Sequence, residues 1–162
     1  MCRKDLEANK EFSEKVAVLF IFYDPKNNSI LLEKRNKPGS FFDGQTFYPG
    51  GSVENTELAN GNIGGALERE IREEIGVLPE VYERVPCKEI YGETGYLLIP
   101  FLITKWQGEI PAKVLDTESQ LLWLNLDDYN PNLRSVQKVT QVLRNFLGSV
   151  AQSCTSTLLS VH

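Results

Sequence analysis

The stretch with the clearest potential for chemistry is Arg-Glu-Ile-Arg-Glu-Glu-Ile-Gly, residues 69–76. Glu70 and Glu74 are four residues apart, and like charges at that spacing destabilise a helix by about 0.2–0.5 kcal/mol. Glu73 and Glu74 also lie near the predicted carboxyl end of the helix, where the helix dipole disfavours anions. Arg69 can neutralise Glu73 at best. The cluster is therefore unfavourable unless a counter-charge comes from outside the helix.

A hard divalent cation would supply that counter-charge. Mg²⁺ prefers carboxylate oxygens and keeps several water molecules that substrate phosphates can replace, and Mn²⁺ is an alternative ion. Directly upstream, Gly50 and Gly51 would let the backbone approach a phosphate or a metal without a Cβ in the way. The competing interpretation is an acidic face that only aids solubility. The glycines beside the glutamates favour a metal and phosphate site.

One amphipathic helix must position these glutamates. Ile63, Leu67, Ile71 and Ile75 recur at a spacing of four and form one stripe, which predicts that this side of the helix is buried. Gly76 is expected to end the helix, because glycine readily adopts the left-handed conformation that commonly follows a last turn. The glutamates then fall on the side adjacent to the buried stripe.

Strands are predicted where apolar, β-branched and aromatic residues run together, at residues 15–24, 29–35, 96–106 and 121–126. The first two are joined by a turn-forming sequence and form a predicted hairpin. An amphipathic closing helix is predicted over residues 133–147, with its end at Gly148. We therefore expect one domain over residues 15–148, preceded by a segment, 1–14, and followed by a tail of low order, 149–162.

The bulk properties exclude several function classes. The 162 residues carry a net charge of −5 with both signs mixed along the chain, so no basic stripe predicts a DNA or RNA partner. The three cysteines form no Cys-x-x-Cys pair, which argues against a zinc site or a disulfide framework and favours a reducing cytoplasm. No apolar run is long enough to predict a membrane span. A homodimer is left open.

Histidine chemistry is also unsupported. The only histidine is His162, the last residue, and chain ends are commonly poorly placed for catalysis. We therefore expect no Ser-His-Asp or Cys-His mechanism, and carboxylates must carry any acid–base or metal chemistry.

The residues around the glutamates resemble the signature of the Nudix hydrolases. In that signature a glycine, five residues, a glutamate and seven residues precede Arg-Glu-aliphatic-any-Glu-Glu-any-Gly-aliphatic. Residues 69–77 match its second half without exception. Gly51 and Glu57 match the first half, but eleven residues rather than seven separate Glu57 from Arg69. We therefore predict a four-residue insertion at residues 59–62 that bulges away from the site.

The resemblance implies an α+β fold, an α/β/α sandwich with a mixed β-sheet between helices. It also implies Mg²⁺-dependent hydrolysis of a pyrophosphate bond in a nucleoside diphosphate derivative. A nucleoside triphosphate, such as an oxidised purine nucleotide, is the default small-molecule substrate. Coenzyme A, sugar nucleotides and dinucleoside polyphosphates stay open. The alternative is a Nudix-like module that binds a nucleotide without catalysis, although such modules typically lack glutamates that are all present here.

The resemblance also implies the metal ligands. Glu70 and Glu74 are the first that we expect, with Glu73 next. Glu73 is also placed among the catalytic residues, since the carboxylate that acts as the base differs among relatives. The Gly50 carbonyl would complete the metal shell. Glu118 resembles a position that supplies an extra acid in some members, and a surface loop residue is the equal alternative.

Further roles follow for residues around the glutamates. By the family pattern Arg69 orients a glutamate of the cluster, and Glu57 supports the loop or a metal-bound water. Phe41, Phe42 and Tyr48 are candidate stacking partners for a nucleotide base. For Phe41 and Phe42 the alternative is that they simply cap the core.

Overall fold

The computed structural model describes residues 15–117 and 119–159, with side chains as far as residue 151. The strands in these residues are β1 (Val16–Asp24), β2 (Ser29–Lys34), β3 (Thr46–Phe47), β4 (Gly50–Ser52), β5 (Leu78–Arg84), β6 (Ile90–Tyr91), β7 (Leu97–Gln107) and β8 (Gln120–Asn125). The helices are α1 (Asn55–Ala59), α2 (Ile63–Glu74) and α3 (Arg134–Leu159). The predicted α+β class is confirmed.

The sheet is mixed, and a parallel pair forms its centre. β1 and β7 run parallel, with Val16 paired to Leu97 and Phe22 paired to Ile103. The other strand pairs among the described residues are antiparallel. The main order is β3-β2-β1-β7-β5, while β4 pairs with β1, β6 with β7 and β8 with β2. The four strands predicted from the sequence are confirmed as β1, β2, β7 and β8.

Helices cover both faces of the sheet. Successive side chains of β1 point to opposite faces, and apolar side chains on each face need a helix to bury them. On one face Phe20 packs in a core with Leu67 and Ile71 of α2. On the other face Ile21 packs in a second core with Val136 of α3. The result is the predicted sandwich, in which the sheet separates α2 from α3.

Two tryptophans join strands that are not neighbours in the sheet. Trp106 of β7 and Trp123 of β8 stack with their ring centroids 6.1 Å apart and their planes at 22°. Phe22 of β1 packs edge-on against Trp106 at 5.2 Å. Because β8 is hydrogen-bonded to β2 and β7 to β1, this stack directly links two strands that are separated by β2 and β1 in the pairing order.

The helix that carries the glutamates has the buried stripe and the end that its sequence predicts. Three of the four stripe residues are buried in the first core, and Ile63 is partly buried against them. Gly76 follows α2 with a φ of +77°, the left-handed conformation. At the other end the Asn62 side chain accepts a hydrogen bond from the Gly65 N–H at 3.1 Å, which caps the helix.

The predicted insertion, residues 59–62, forms an exposed turn between α1 and α2. Gly61 has a φ of +65°, and a Cβ added there would meet nothing within 4 Å. The Asn62 N–H donates to the Glu57 carbonyl at 2.8 Å, so the turn closes on itself. The extra residues therefore extend into solvent, as expected, and α1 is a short helix that the sequence reading did not predict.

The end of α3 differs from its prediction. The helix continues through Gly148 to Leu159, so the predicted end at Gly148 is wrong. A glycine inside a helix costs only about 0.5–1 kcal/mol relative to alanine, which is too little to stop a helix. Residues 1–14 and 160–162 lie outside the described part of the chain. No helix in the described ranges combines the length and apolar character that crossing a membrane requires.

We expect Gly148→Ala to stabilise the protein by about 0.5–1 kcal/mol, because a Cβ at this position would meet nothing within 4 Å and alanine favours a helix. Urea unfolding followed by circular dichroism measures this change. If the helix instead ended on a left-handed Gly148, alanine would be strained there, and the substitution would destabilise the protein.

Candidate functional site

The guanidinium group of Arg69 forms hydrogen bonds to several residues of the site. Arg69 donates from Nη2 to Glu57 Oε1 at 2.7 Å and from Nη1 to Glu70 Oε1 at 2.8 Å. It also reaches Glu73 Oε2 at 3.2 Å and the carbonyl of Ser52 at 3.0 Å. The sequence reading expected Arg69 to neutralise Glu73 at best. The structure corrects this, because Arg69 binds three carboxylates and joins α1, β4 and α2.

Glu57 belongs to this network across the inserted turn. Both of its carboxylate oxygens accept hydrogen bonds from Arg69, and Oε1 also accepts the backbone N–H of Glu54 in a capping box at the start of α1. The Arg69 hydrogen bonds hold the pKa of Glu57 below its usual range. Glu57 is therefore an ionised residue that ties α1 to α2.

The paired glycines allow β4 to lie directly against Glu70. A Cβ added at Gly51 would collide with the carboxyl group of Glu70. One added at Gly50 would come within 2.5 Å of the Val18 carbonyl oxygen in β1. Gly51 thus leaves a cradle that the Glu70 carboxyl fills, while Gly50 lets β4 pair closely with β1.

Glu74 is close enough to three other carboxyl groups, from three parts of the chain, to feel their charge. Glu70 and Glu74 come from α2, Glu33 from β2, and Asp116 from the segment before β8. We call these four residues the acidic cluster. Asp116 is brought there because the neighbouring Leu115 N–H donates to the Glu74 carbonyl at 2.9 Å. Glu74 shares a side-chain hydrogen bond with Asp116.

The acidic cluster holds more negative charge than the nearby cations compensate. Burial is the largest cause that raises the pKa of Glu33, Glu70 and Glu74. For Glu74 the hydrogen bond and charge of Asp116 and the charges of Glu70 and Glu33 add to burial, and its pKa rises to about 8. Arg69 and Arg35 lower the pKa values of Glu70 and Glu33, respectively, but do not offset burial. The cluster favours either bound protons or a bound cation.

Glu73 has a different environment from Glu70 and Glu74. Its side chain is 56% exposed and contacts Arg69 on the outer side of α2. Glu70, by contrast, is only 8% exposed. The structure therefore brings Glu70 and Glu74 together with two acids that the sequence reading missed, and leaves Glu73 outside the acidic cluster.

Glu33 carried a weak local signal as a site residue, and Asp116 carried none. Glu33 directly follows the apolar run Ile-Leu-Leu of the strand "SILLEK", and an acid that continues a buried run calls for a partner. Asp116 lies in a loop 42 residues beyond Glu74, and only the folded chain brings the two together.

The donor set fits a hard divalent cation. All four side chains offer carboxylate oxygens, the ligands that Mg²⁺ and Mn²⁺ prefer, and the Gly51 cradle keeps Glu70 in place. Among the described residues, no group of three or more His, Cys, Asp or Glu side chains is close enough to hold a metal ion as the side chains now lie. Glu118, the further predicted ligand, lies outside the described residues.

A cavity of about 340 Å³ opens beside the acidic cluster. Its lining includes Glu33, a member of the cluster, and the two glycines of β4, Gly50 and Gly51. Farther from Glu33 its walls are mainly apolar, with Leu98 of β7 and Val136 of α3 among them, and the polar residues Glu93 and Ser135 also line that end. One opening thus combines a charged end with an apolar end.

The three aromatic residues predicted to stack on a base occupy different environments. Phe42 lines the cavity and packs edge-on against Phe47 with centroids 5.4 Å apart, and it also covers the second core. Tyr48 lines the cavity too, but it is 3% exposed and its hydroxyl is hydrogen-bonded to Thr140 at 2.7 Å. Phe41 is 76% exposed and does not line the cavity. Phe41 therefore neither caps the core nor faces the cavity.

Comparison with known families gives one match that spans most of the chain. The sequence model of the NUDIX domain matches residues 13–146. No curated protein matches the chain in sequence.

Solved structures share the fold. One, from a study of MutT of Aliivibrio salmonicida and Vibrio cholerae, is 22% identical with a TM-score of 0.62, covering 82% of this chain and 99% of its own. The MutT NUDIX hydrolase of Burkholderia pseudomallei is 23% identical with a TM-score of 0.61, and the match covers 79% of this chain and 96% of that hydrolase. The NUDIX domain of Shewanella oneidensis NrtR, complexed with ADP ribose, is 18% identical with a TM-score of 0.57. This match covers 91% of this chain and 99% of the NrtR domain. At these identities the likeness concerns the fold.

We expect Gly51→Ala to lower the free energy of unfolding by about 1–3 kcal/mol, because the new Cβ would force the Glu70 carboxyl out of its cradle. Urea unfolding measures this loss. Gly148→Ala is the matched control, since the same change at a position with open space should not destabilise the protein. Equal behaviour of the two variants would contradict the close packing of Gly51 against Glu70.

We also expect the metal-free protein to lose stability as the pH rises from about 5 to 8. The pKa of Glu74 is about 8 in the folded state, above its ordinary value of 4.5, so the folded protein binds this proton more tightly than the unfolded chain. After allowance for solvent screening, the loss should be about 1–2 kcal/mol. Unfolding in the presence of a chelator, repeated across this pH range, measures it.

Glu74→Gln should flatten that pH profile, because glutamine does not titrate. Glu73→Gln is the matched control on the same helix, and it should keep the slope of the wild type since Glu73 lies outside the acidic cluster. A Glu74→Gln variant with an unchanged slope would show that Glu74 is not the group responsible.

Proposed function

This chain belongs to the NUDIX hydrolase family, and from that premise we propose that it hydrolyses a pyrophosphate bond in a nucleoside diphosphate derivative. The observation that carries the proposal is that the cavity reaches Glu33 of the acidic cluster and Gly51, against which the Glu70 carboxyl packs. A phosphate chain could lie beside the carboxylates while the rest of the substrate enters the apolar end. The proposal also makes Mg²⁺ the metal ion, with Mn²⁺ as a substitute.

Glu70 and Glu74 are the proposed metal ligands, with Asp116 and Glu33 beside them. A bound Mg²⁺ would neutralise phosphate charge and lower the pKa of a coordinated water molecule. Arg69 keeps the Glu70 carboxylate oriented through its 2.8 Å hydrogen bond, and the Gly51 cradle fixes that carboxylate against β4. The backbone of Gly50, at the rim of the cavity, remains a proposed carbonyl ligand.

Glu73 and Glu57 act through Arg69 in this proposal. Each accepts a hydrogen bond from the guanidinium, so each fixes the group that in turn holds Glu70. This assignment gives Glu73 a positioning role and removes it from the proposed metal ligands. It follows from the exposed, outward position of the Glu73 side chain.

The apolar end of the cavity supports a nucleoside as the second part of the substrate. Leu98, Val136, Phe42 and Phe47 offer apolar surface, and Phe42 is the preferred stacking residue because it is partly buried at the cavity wall. We propose a nucleoside triphosphate, including an oxidised nucleotide, as the first substrate class to test. The exposed, free thiol of Cys87 supports a reducing cytoplasm as the location.

The second candidate function is nucleotide binding without hydrolysis. The solved NUDIX domain of NrtR, which is complexed with ADP ribose, makes this candidate concrete. In this chain all the carboxylates of the acidic cluster are present, and Glu70 accepts a hydrogen bond from Arg69; these features favour hydrolysis. A bound nucleotide without turnover would favour the second candidate.

We expect Mg²⁺-dependent hydrolysis of at least one member of a substrate panel, measured as phosphate or pyrophosphate from a nucleoside triphosphate and as two phosphorylated products from a compound substituted at both ends. The panel should contain nucleoside triphosphates, oxidised nucleotides, ADP-ribose, sugar nucleotides, coenzyme A and dinucleoside polyphosphates. Isotopically labelled water should place its label on a phosphate product, because attack on phosphorus breaks the anhydride. Label on a sugar carbon would mean glycosidic cleavage and would refute the mechanism.

Matched variants test the role of the acidic cluster. Glu74→Gln should reduce turnover by at least a hundredfold, since a proposed ligand loses its charge. Glu80→Gln changes a carboxylate that pairs with Lys105 away from the cavity, and it should leave turnover unchanged. Similar activity of the two variants would remove Glu74 from the proposed site.

A further inference from the structure

A hydrogen-bonded pair connects a loop to the start of α3 at the cavity wall. Glu93, in the loop between β6 and β7, accepts the backbone N–H of Ser135 at 3.0 Å, and the Ser135 hydroxyl donates to the other carboxylate oxygen at 2.6 Å. Ser135 is buried. A carboxylate at the start of a helix is favoured by the helix dipole, and hydrogen bonds to an ionised acceptor are stronger than neutral ones. We call this pair the clasp.

The loop itself already has a defined shape. The Gly92 N–H donates to the Tyr96 carbonyl at 2.8 Å, and the Gly95 N–H donates to the Gly92 carbonyl at 3.0 Å. Gly95 has a φ of +87°, which suits glycine in a tight turn. The loop is therefore a defined turn between β6 and β7, and the clasp joins this turn to α3.

Both walls beside the clasp face the cavity. Thr94 and Tyr96 line it from the loop, and Val136 and Val139 line it from the first turns of α3. Separation of the loop from α3 would widen this end of the cavity. The clasp thus controls the distance between two of the surfaces that a ligand would contact.

The clasp lies far from the acidic cluster. β4, β1, β7 and β6 are successive neighbours in the sheet, so β4 and β6 are three strand spacings apart, about 14 Å. Gly51 of β4 supports Glu70, whereas Glu93 directly follows the Gly92 turn after β6. Glu93 therefore lines the cavity on the side opposite Gly51, the residue that packs against Glu70.

We infer that Glu93 is a positioning residue, which through its clasp with Ser135 fixes the end wall of the cavity and so aligns the nucleoside part of the substrate. This inference rests on the proposed function. The clasp affects how tightly the nucleoside is held and leaves the reacting phosphate unaffected. The proposed role requires no chemical step at Glu93, because its carboxylate acts by accepting hydrogen bonds from the Ser135 backbone and hydroxyl.

The test compares Glu93→Gln and Ser135→Ala with Gln137→Ala. Gln137 lies in the same first turns of α3 and donates to the carbonyls of Pro131 and Asn132, but it does not line the cavity. Gln137→Ala therefore weakens the start of α3 without touching the clasp. Thermal unfolding of all three variants verifies that they are folded and ranks their stability.

We expect the two clasp variants to raise KM for the best substrate of the panel about three- to tenfold, with kcat within about twofold of the wild type. Gln137→Ala should leave both constants unchanged. Inhibition by methylenediphosphonate with Mg²⁺, a probe that has no nucleoside, should be the same in every variant. The double variant should raise KM no further than the stronger single variant, because the two residues form one contact.

Three results would overturn the inference. The clasp variants could lose kcat by the same factor as they raise KM, Gln137→Ala could raise KM as much as they do, or inhibition by methylenediphosphonate could weaken by the same factor as substrate binding. Absence of turnover in the wild type would refute the proposed function and still leave the clasp testable. In that case the melting shift given by nucleoside triphosphates should be smaller in the clasp variants, with an unchanged shift from methylenediphosphonate. The inference about the clasp would be overturned if nucleoside triphosphates shifted the melting temperature equally in the wild type and in every variant, or if they did not shift it in the wild type.

Discussion

The guanidinium of Arg69 is the interaction on which the architecture of the site depends. The α2 helix carries glutamates that repel one another, and Arg69 is the cation that contacts two of them from within the same helix. The same group also reaches Glu57 beyond the inserted turn and the backbone of β4. Glu57 therefore stays joined to α2 across the inserted turn, because Arg69 connects the two in space.

The sequence predicts those features that depend on local periodicity. The spacing of Leu67 and Ile71 predicts the buried side of α2, and Gly76 marks its end correctly because the left-handed conformation is intrinsic to that position. The pairing of Gly51 with Glu70 is only partly predictable. The sequence shows that a glycine is present, but the fold determines which carboxyl group fills the space that it leaves.

Features that depend on contacts distant in sequence could not be predicted. Asp116 joins Glu74 because a loop before β8 folds back on the end of α2, and nothing near Asp116 signals this. Tyr48 and Phe41 show the same limit, since both are aromatic residues of one segment, yet one is buried and the other exposed. The continuation of α3 past Gly148 was missed for another reason, which is that a glycine is a weak helix stop.

The stacked indoles of Trp106 and Trp123 have a consequence for spectroscopy. These are the only two tryptophans in the sequence, so the intrinsic indole emission of the whole protein arises from one pair of rings. At a separation of 6.1 Å the two transition dipoles couple, and the pair should give an exciton band in the circular dichroism spectrum. Both signals report on the contact between β7 and β8, and neither samples α3. A fluorescence-detected melt would therefore follow the loss of the sheet and remain silent about fraying of the closing helix.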